Sequence, residues 1–357
     1  YTFDKREKFS ASETGFSPEF WQQMGELGLT AIPFPEELGG FGGTGVEVQS
    51  VMTELGRGLC IEPYLQSVVL GGGLISQAGH DQQKEQWLAG IATGETQVAV
   101  GLQEPQSFYN TNDVETTAEK AGSDYVLNGR KAVVIGGHSA DLLVVSARTA
   151  GNSRDAAGIS LFVIDANAEG LERRSYPTID GAKGCDLFLN NVKVGADALL
   201  GNEGEAADVI EYQVGRAISA LCGEAVGVME VACDLTLDYL KQRKQFGVPI
   251  GKFQVLQHRM ADMMSELEQA RSMAILAASV ADESQSDERR RVIAAAKNVI
   301  SRSAQFISEK GVQSHGGIGM TWEYNFAHYA KRLVMINHQL GDDDFHLERY
   351  AALLEAN

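Results

Sequence analysis

The stretch Arg243-Lys-Gln-Phe-Gly-Val-Pro-Ile-Gly-Lys-Phe-Gln-Val-Leu-Gln-His-Arg-Met-Ala-Asp-Met263 holds the residues best suited to chemistry. A helical pattern runs into it from about Arg216 to Gln242, and another leaves it from about Phe253 to Val280. Between them, Gly247, Pro249 and Gly251 interrupt the period. Pro249 cannot continue a helix and biases Val248 towards an extended backbone. The reading is helix, tight connection, antiparallel helix, with Arg243, Phe246 and Gln254 together at one end. A guanidinium, an aromatic ring and an amide at the mouth of such a hairpin suit a planar ligand that carries phosphate. The spacing alone equally admits a capped hairpin with Arg243 as a surface charge. A second candidate is Gly316-Gly-Ile-Gly319, preceded by Gln313 and His315. Glycines let a ligand approach the backbone, and a nearby helix N-terminus favours an anion. His315 reads as a packing or hydrogen-bonding residue.

Those residues need helices to carry them, and the chain supplies them at both ends. Residues 1–97 read as helical, including Phe20 to Gly28, Val46 to Gly56, Leu65 to Ala78 and Gln82 to Ile91. The loop Pro33-Phe-Pro-Glu-Glu-Leu-Gly-Gly-Phe-Gly-Gly43 lacks the Gly-Lys-Ser/Thr ending and preceding strand of a phosphate loop. Over 98–198 the period changes to short β-branched or aromatic runs punctuated by Asn-Gly, Gly-Gly and Asp-Gly, an all-β barrel or sandwich. The helical period returns over 199–357, with an exposed charged break at Asp282 to Arg291. Acidic residues exceed basic ones, giving a formal charge of −18 over 357 residues. That argues against nucleic acid and anionic membranes as partners. Cys60, Cys185, Cys222 and Cys233 are scattered without a metal or redox spacing. They fit free thiols in a reducing cytoplasm. Neither a metal site nor a membrane span is expected. No secretory signal is read, and Tyr1 leaves the true start of the chain open.

Arg-x-x-Phe-Gly followed by Phe-Gln and His-Arg-Met-Ala-Asp-Met resembles the signature of the acyl-CoA dehydrogenase family. The helical, β, helical order resembles that family too. The resemblance implies an N-terminal all-α domain, a middle β-barrel domain and a C-terminal four-helix bundle. It also implies FAD as cofactor, held across a subunit interface by Arg243, Phe246 and Gln254. Gln313, Gly316 and Gly317 match the family's Gln-x-x-Gly-Gly-x-Gly, which takes the adenosine-diphosphate part of FAD. An acyl-CoA substrate, an electron acceptor (a flavoprotein or quinone pathway) and a homo- or hetero-oligomer, dimer or tetramer, are implied as partners.

The sequence departs from the family where the flavin and substrate meet. The family's Thr-Glu-Pro-Gly-x-Gly-Ser-Asp is here Gln103-Glu-Pro-Gln-Ser-Phe-Tyr-Asn-Thr-Asn-Asp113. In Gly129-Arg-Lys-Ala-Val-Val-Ile135, Val133 stands for a tryptophan beside the flavin and Ile135 for a hydroxyl residue. The base is missing as well. Abstraction of a thioester α-proton needs a carboxylate at the α-carbon. The family's usual glutamate position falls on Leu340 and its less common one near Ala217, both inert. Glu224 and Asp342 are the substitutes. Glu224 shares an apolar helical stripe with Ala217, Leu221 and Val228, where a carboxylate is costly unless paired. Its ordinary alternative is a structural pair with an arginine of a neighbouring helix; that of Asp342 is a solvated loop or helix cap. Glu211 and Glu230 read as exposed helix acids. These departures resemble the small subunits of bacterial heteromeric acyl-CoA dehydrogenases, such as that of pimeloyl-CoA dehydrogenase. Two expectations follow: an FAD-dependent α,β-dehydrogenase with a displaced base, or a catalytically reduced subunit completing a sister chain's FAD site.

Overall fold

The computed structural model describes residues 1–355. They form two compact units: one of residues 5–44 and 61–217, the other of residues 1–4, 45–60 and those from Ile218 on.

The first unit opens on helices. Helix α1 (Phe3–Ala11) is followed by α2 (Pro18–Glu26), whose Ser17 cap accepts from the Phe20 amide at 3.1 Å. The glycine-rich loop after it is a packing turn. Phe34 is fully buried, and a Cβ on Gly40 would stand 2.0 Å from the Phe34 carbonyl oxygen. The segment read as one helix from Leu65 to Ala78 is π-helical over Leu65–Gly72 and becomes α-helical only beyond it, as α4 (Gly73–Ala78). Its glycines admit close neighbours: a Cβ on Gly73 would meet the Gln213 amide at 2.1 Å. Helix α5 (Asp81–Thr93) closes the helical block.

Eight strands follow: β1 (Val98–Gly101), β2 (Thr117–Ala121), β3 (Asp124–Lys131), β4 (Leu142–Arg148), β5 (Ile159–Asp165), β6 (Leu171–Pro177), β7 (Lys183–Val194) and β8 (Leu199–Leu200). They lie in one sheet in the order β6-β7-β3-β2-β4-β5-β8, with β1 parallel to β4. A single pair, Thr117 opposite Arg148, joins the two wings of the sheet. Leu127, Leu143, Val145, Phe162, Leu187 and Val192 alternate inward to build the core.

The second unit packs α3 (Gly45–Arg57) with the later helices. These are α6 (Ala207–Gln242, its first residues in the other unit), α7 (Gln254–Val280), α8 (Asp287–His315), α9 (Asn325–His338) and α10 (Asp343–Glu355). Glycines let α3 and α6 meet backbone to backbone. A Cβ on Gly227 would lie 2.0 Å from the Thr53 carbonyl oxygen, and one on Gly56 would lie 2.3 Å from that of Glu224. We expect Gly227→Ala to cost about 1–3 kcal/mol of stability, because a backbone oxygen cannot swing aside. Chemical denaturation checks this; an unchanged midpoint would show that the two helices slide apart freely.

The charged break between α7 and α8 is less exposed than its composition suggests. Arg289 is 1 % exposed and donates to the Ala281 carbonyl at 2.8 Å and the Gln285 amide oxygen at 2.6 Å. Its guanidinium finds a backbone acceptor at the end of α7, which composition cannot reveal. No helix among the described residues is long and apolar enough to cross a membrane.

Candidate functional site

The connection between α6 and α7 is a two-residue β-hairpin followed by one 3-10 turn, Ile250–Lys252. Strands Lys244–Gln245 and Val248–Pro249 pair antiparallel around Phe246 and Gly247. Both turn residues are left-handed, at φ +53° and +83°, which matches the mirror-image turn that tight hairpins prefer. Asn-Gly is its usual signal, so Phe-Gly hid the hairpin in the sequence. A phenylalanine in that region is strained, and strain of this kind gathers at functional sites. The Ile250 amide donates to the Arg243 carbonyl at 2.8 Å, closing the turn.

Arg243, Phe246 and Gln254 are all exposed at this end. Phe246 is 90 % exposed, with only an edge contact to Phe253 at 6.1 Å between ring centroids. No described residue bonds the Arg243 guanidinium. From Tyr239 to Ala261 the chain has no acidic residue but carries Lys241, Arg243, Lys244, Lys252 and Arg259. In a strongly acidic protein this end is a basic pole. Beside it lies an open groove of about 660 Å³, lined by Leu237, Leu240, Met260 and Met264 together with Lys241 and Lys252.

Gly316–Met320 is a 3-10 turn at the end of α8. Gln313, Gly316 and Gly317 are exposed, and a Cβ on either glycine would meet nothing within 4 Å. Gly316 has φ +69°. This open, mobile-side-chain-free backbone is a cradle in which a phosphate-bearing ligand can lie against peptide groups. Beneath it His315 is buried, stacked on Phe326 at 4.3 Å and near Tyr239 at 4.7 Å. Its Nδ1 donates to the Gly311 carbonyl at 2.8 Å, and burial lowers its pKa. It packs the cradle from below. An unengaged arginine, an exposed ring and an open glycine turn fit a dinucleotide-type cofactor.

The carboxylates are engaged. Glu224, 6 % exposed, forms a two-pronged pair with Arg332 of α9, Nη2 to Oε2 being 2.7 Å. Pairing is what allows a carboxylate on that apolar stripe. Asp342 Oδ1 accepts from the Phe345 amide at 2.9 Å and so caps the start of α10. Ala217 is fully buried, and Leu340 is half-exposed. Glu230 corrects the sequence reading, since its carboxylate is largely buried and shared by Arg57 and Arg271. Two residues escaped notice in the sequence. Arg332 is ordinary on an amphipathic helix. Lys297, fully buried, sits between Ile293 and Ile300, and a lysine on that apolar stripe was the signal.

In the sheet unit, Glu104 accepts from the Lys131 ammonium at 2.6 Å and from the amides of Glu115 and Thr116 at 2.8 and 3.1 Å. Lys131 also donates to Ser146 at 2.9 Å. This caged pair anchors the remodelled loop. Beyond it, Phe108 and Tyr109 are left-handed, and Phe108 is 82 % exposed. Val133 is left-handed and 50 % exposed.

Comparison with known proteins places this arrangement. The acyl-CoA dehydrogenase N-terminal, middle and C-terminal domain families match residues 4–95, 99–192 and 208–354. The probable acyl-CoA dehydrogenase YngJ of Bacillus subtilis is 33% identical over 318 residues, 87% of this chain and 83% of its own. The caffeyl-CoA reductase-Etf complex subunit CarC of Acetobacterium woodii is 33% identical over 316 residues, 87% of this chain and 82% of its own. Among solved structures, butyryl-CoA dehydrogenase from Megasphaera elsdenii superposes with a TM-score of 0.88 at 26% identity, covering 99% of this chain and 96% of that one. The chain belongs to the acyl-CoA dehydrogenase family. It is an oxidoreductase of a flavoprotein family, with FAD as its cofactor.

Proposed function

We propose that the chain serves the α,β-dehydrogenation of an acyl-CoA thioester, within an oligomer in which the α6–α7 turn of one chain completes the FAD site of its neighbour. The observation that carries this reading is the turn itself: Arg243, Phe246 and Gln254 are exposed together, and the Arg243 guanidinium has no partner among the described residues. Bound there, FAD supplies the acceptor for the β-hydride. Arg243 would hold its phosphates, Phe246 and Gln254 would orient it, and Gln313, Gly316 and Gly317 would lie along its adenosine-diphosphate part. The basic pole and apolar groove suit a neighbouring chain that is itself acidic. Electrons would pass on to a flavoprotein or quinone pathway; CarC, by name, belongs to an Etf complex.

A second reading keeps the chain as a reduced partner subunit beside a catalytic sister. It is favoured by the carboxylates, since Leu340 and Ala217 are alkyl and Glu224 is held by Arg332. Flavin content and mass of the chain, alone and co-expressed with neighbouring gene products, separate the two. A chain that stays monomeric and flavin-free in every combination would sink both.

Arg243→Ala is expected to weaken FAD retention about 10- to 150-fold, since a charge-assisted phosphate bond contributes about 1.5–3 kcal/mol. Gly317→Ala should leave the melting temperature of the flavin-free protein unchanged, because its Cβ enters open space, yet also lower flavin occupancy. Flavin absorbance per chain after desalting reads both. Full occupancy in Arg243→Ala would remove the cofactor role from this turn.

A further inference from the structure

Leu340 adopts φ +58°, a left-handed conformation that a leucine enters only when its surroundings hold it there. What holds it is a set of buried donors from two helices. The Lys297 ammonium of α8 donates to the Gly341 carbonyl at 2.8 Å, and to those of Ile336 and Asn337, in the last turn of α9, at 2.9 and 3.0 Å. Its fourth contact is Ser301 Oγ at 3.2 Å. From α10, His346, 1 % exposed, donates from Nε2 to the Leu340 carbonyl at 2.9 Å. Gly341, at φ +104°, is what lets the ring in: a Cβ there would stand 2.5 Å from His346 Nε2. The next peptide is fixed as well, by Asn298 donating to the Asp343 carbonyl at 2.8 Å.

A connection between two helices needs none of this, since short helix–helix loops close without a buried cation. A lysine taken wholly out of water with no carboxylate bonded to it is expensive, and here burial lowers its pKa to about 8. Burial likewise lowers that of His346 to about 3, so the ring is neutral and keeps its Nε2 proton towards Leu340. The groups facing this pair are Asp342 in the loop, Cys222 on α6, Arg332 on α9, and Asp343 and Arg349 on α10. Strain that surrounding structure holds in place at such cost marks a side chain whose direction matters.

We propose that Lys297 and His346 are positioning residues that fix the aim of the residue-340 side chain, and that in this chain they aim an alkyl group at the acyl part of a thioester ligand where a carboxylate would take its proton. The second half rests on the dehydrogenase reading above.

Two measurements on the full assembled protein test it. The first needs no ligand. In Lys297→Met, amide hydrogen exchange from Leu340 to Asp343 should rise at least tenfold while the middle of α8 keeps its protection. If Lys297→Met does not fold, His346→Phe removes the other donor and is read in the same way. Unchanged exchange in the folded variant overturns the positioning role, whatever the ligand. The second uses octanoyl-CoA in deuterated buffer. Leu340→Glu should speed exchange of its α-hydrogens at least 100-fold, the new carboxylate taking a proton and returning a deuteron. Adding Lys297→Met, or His346→Phe in its place, should cut that gain at least tenfold. An equal gain with and without the clamp overturns the positioning role. No gain, although calorimetry shows octanoyl-CoA bound, overturns the contact between residue 340 and the acyl group. If no variant binds octanoyl-CoA, the dehydrogenase reading falls together with that contact, and hydrogen exchange alone decides the clamp.

Discussion

Glu104→Gln is expected to destabilise the protein by about 3–5 kcal/mol, enough to unfold a marginal domain, because it strands a fully buried ammonium. Lys131 is 0 % exposed and its bonds go to Glu104 and Ser146. Lys131→Met should do comparable harm by leaving the Glu104 carboxylate unpaired among amides. The double variant, Glu104→Gln with Lys131→Met, should recover part of the loss, since neither charge is then left alone. Denaturant titrations of the two single variants and the double one give the coupling directly. Losses that simply add would show that the pair is not a unit. The pair also sets an acid limit. Burial pushes the Glu104 carboxyl up, but the Lys131 ammonium and the bonds from Gln106 and Thr116 outweigh it and hold its pKa below the usual value. Its contribution is therefore present above the ordinary carboxylate pKa and is lost as pH falls through the lowered folded value. Stability of the wild type should drop over that acid range more steeply than that of the double variant. The consequence reaches the adjoining loop, because Glu104 bonds the amides of Glu115 and Thr116 at the end of the segment that carries Phe108 and Tyr109.

The helical, β, helical order was legible because periods of 3.6 and 2 residues are properties of local sequence. The three cofactor candidates were legible as a group because Pro249 and the glycines force the chain to turn within a few residues of each. Their hairpin was not, since Phe246 is left-handed against its own preference and only the finished turn holds it there. Buried ions were the other blind spot. Glu224 could be suspected from its stripe, but its partner, Arg332, lies 108 positions away. Arg289 sat in a charged run that composition reads as solvated, yet its acceptors include the Ala281 carbonyl, a kind of group every sequence has everywhere, and the Gln285 amide. Lys297 is the same case: its acceptors at Ile336, Asn337 and Gly341 exist only once α9 ends beside α8.

Glu224→Gln should lower stability by about 3–5 kcal/mol, and Arg332→Met in the same chain should restore much of it. The two-pronged geometry and the low exposure of both side chains make this a pair whose halves cannot be removed singly. The same cycle decides the catalytic question. A general base lost should cost about 10²–10⁴ in rate, and removing Arg332 cannot return a missing carboxylate. We therefore propose to read ferricenium reduction with a panel of acyl-CoAs beside each denaturation curve, using preparations in which the variant is fully folded. If Glu224 serves only the fold, the folded fraction of Glu224→Gln turns over as wild type does, and the double variant does too. If it is the base, rate stays down at least a hundredfold in the double variant although stability has returned. Asp342→Asn supplies the second arm. Asparagine caps a helix about as well as aspartate, so stability should hold within about 0.5 kcal/mol. A fall in rate of tenfold or more in that variant would then be chemical and would assign the proton to Asp342. Should neither substitution slow an active wild type, both carboxylates are excluded. An inactive wild type that gains activity only with a sister chain would instead favour the partner-subunit reading, with Glu224 and Arg332 holding α6 to α9 and no more.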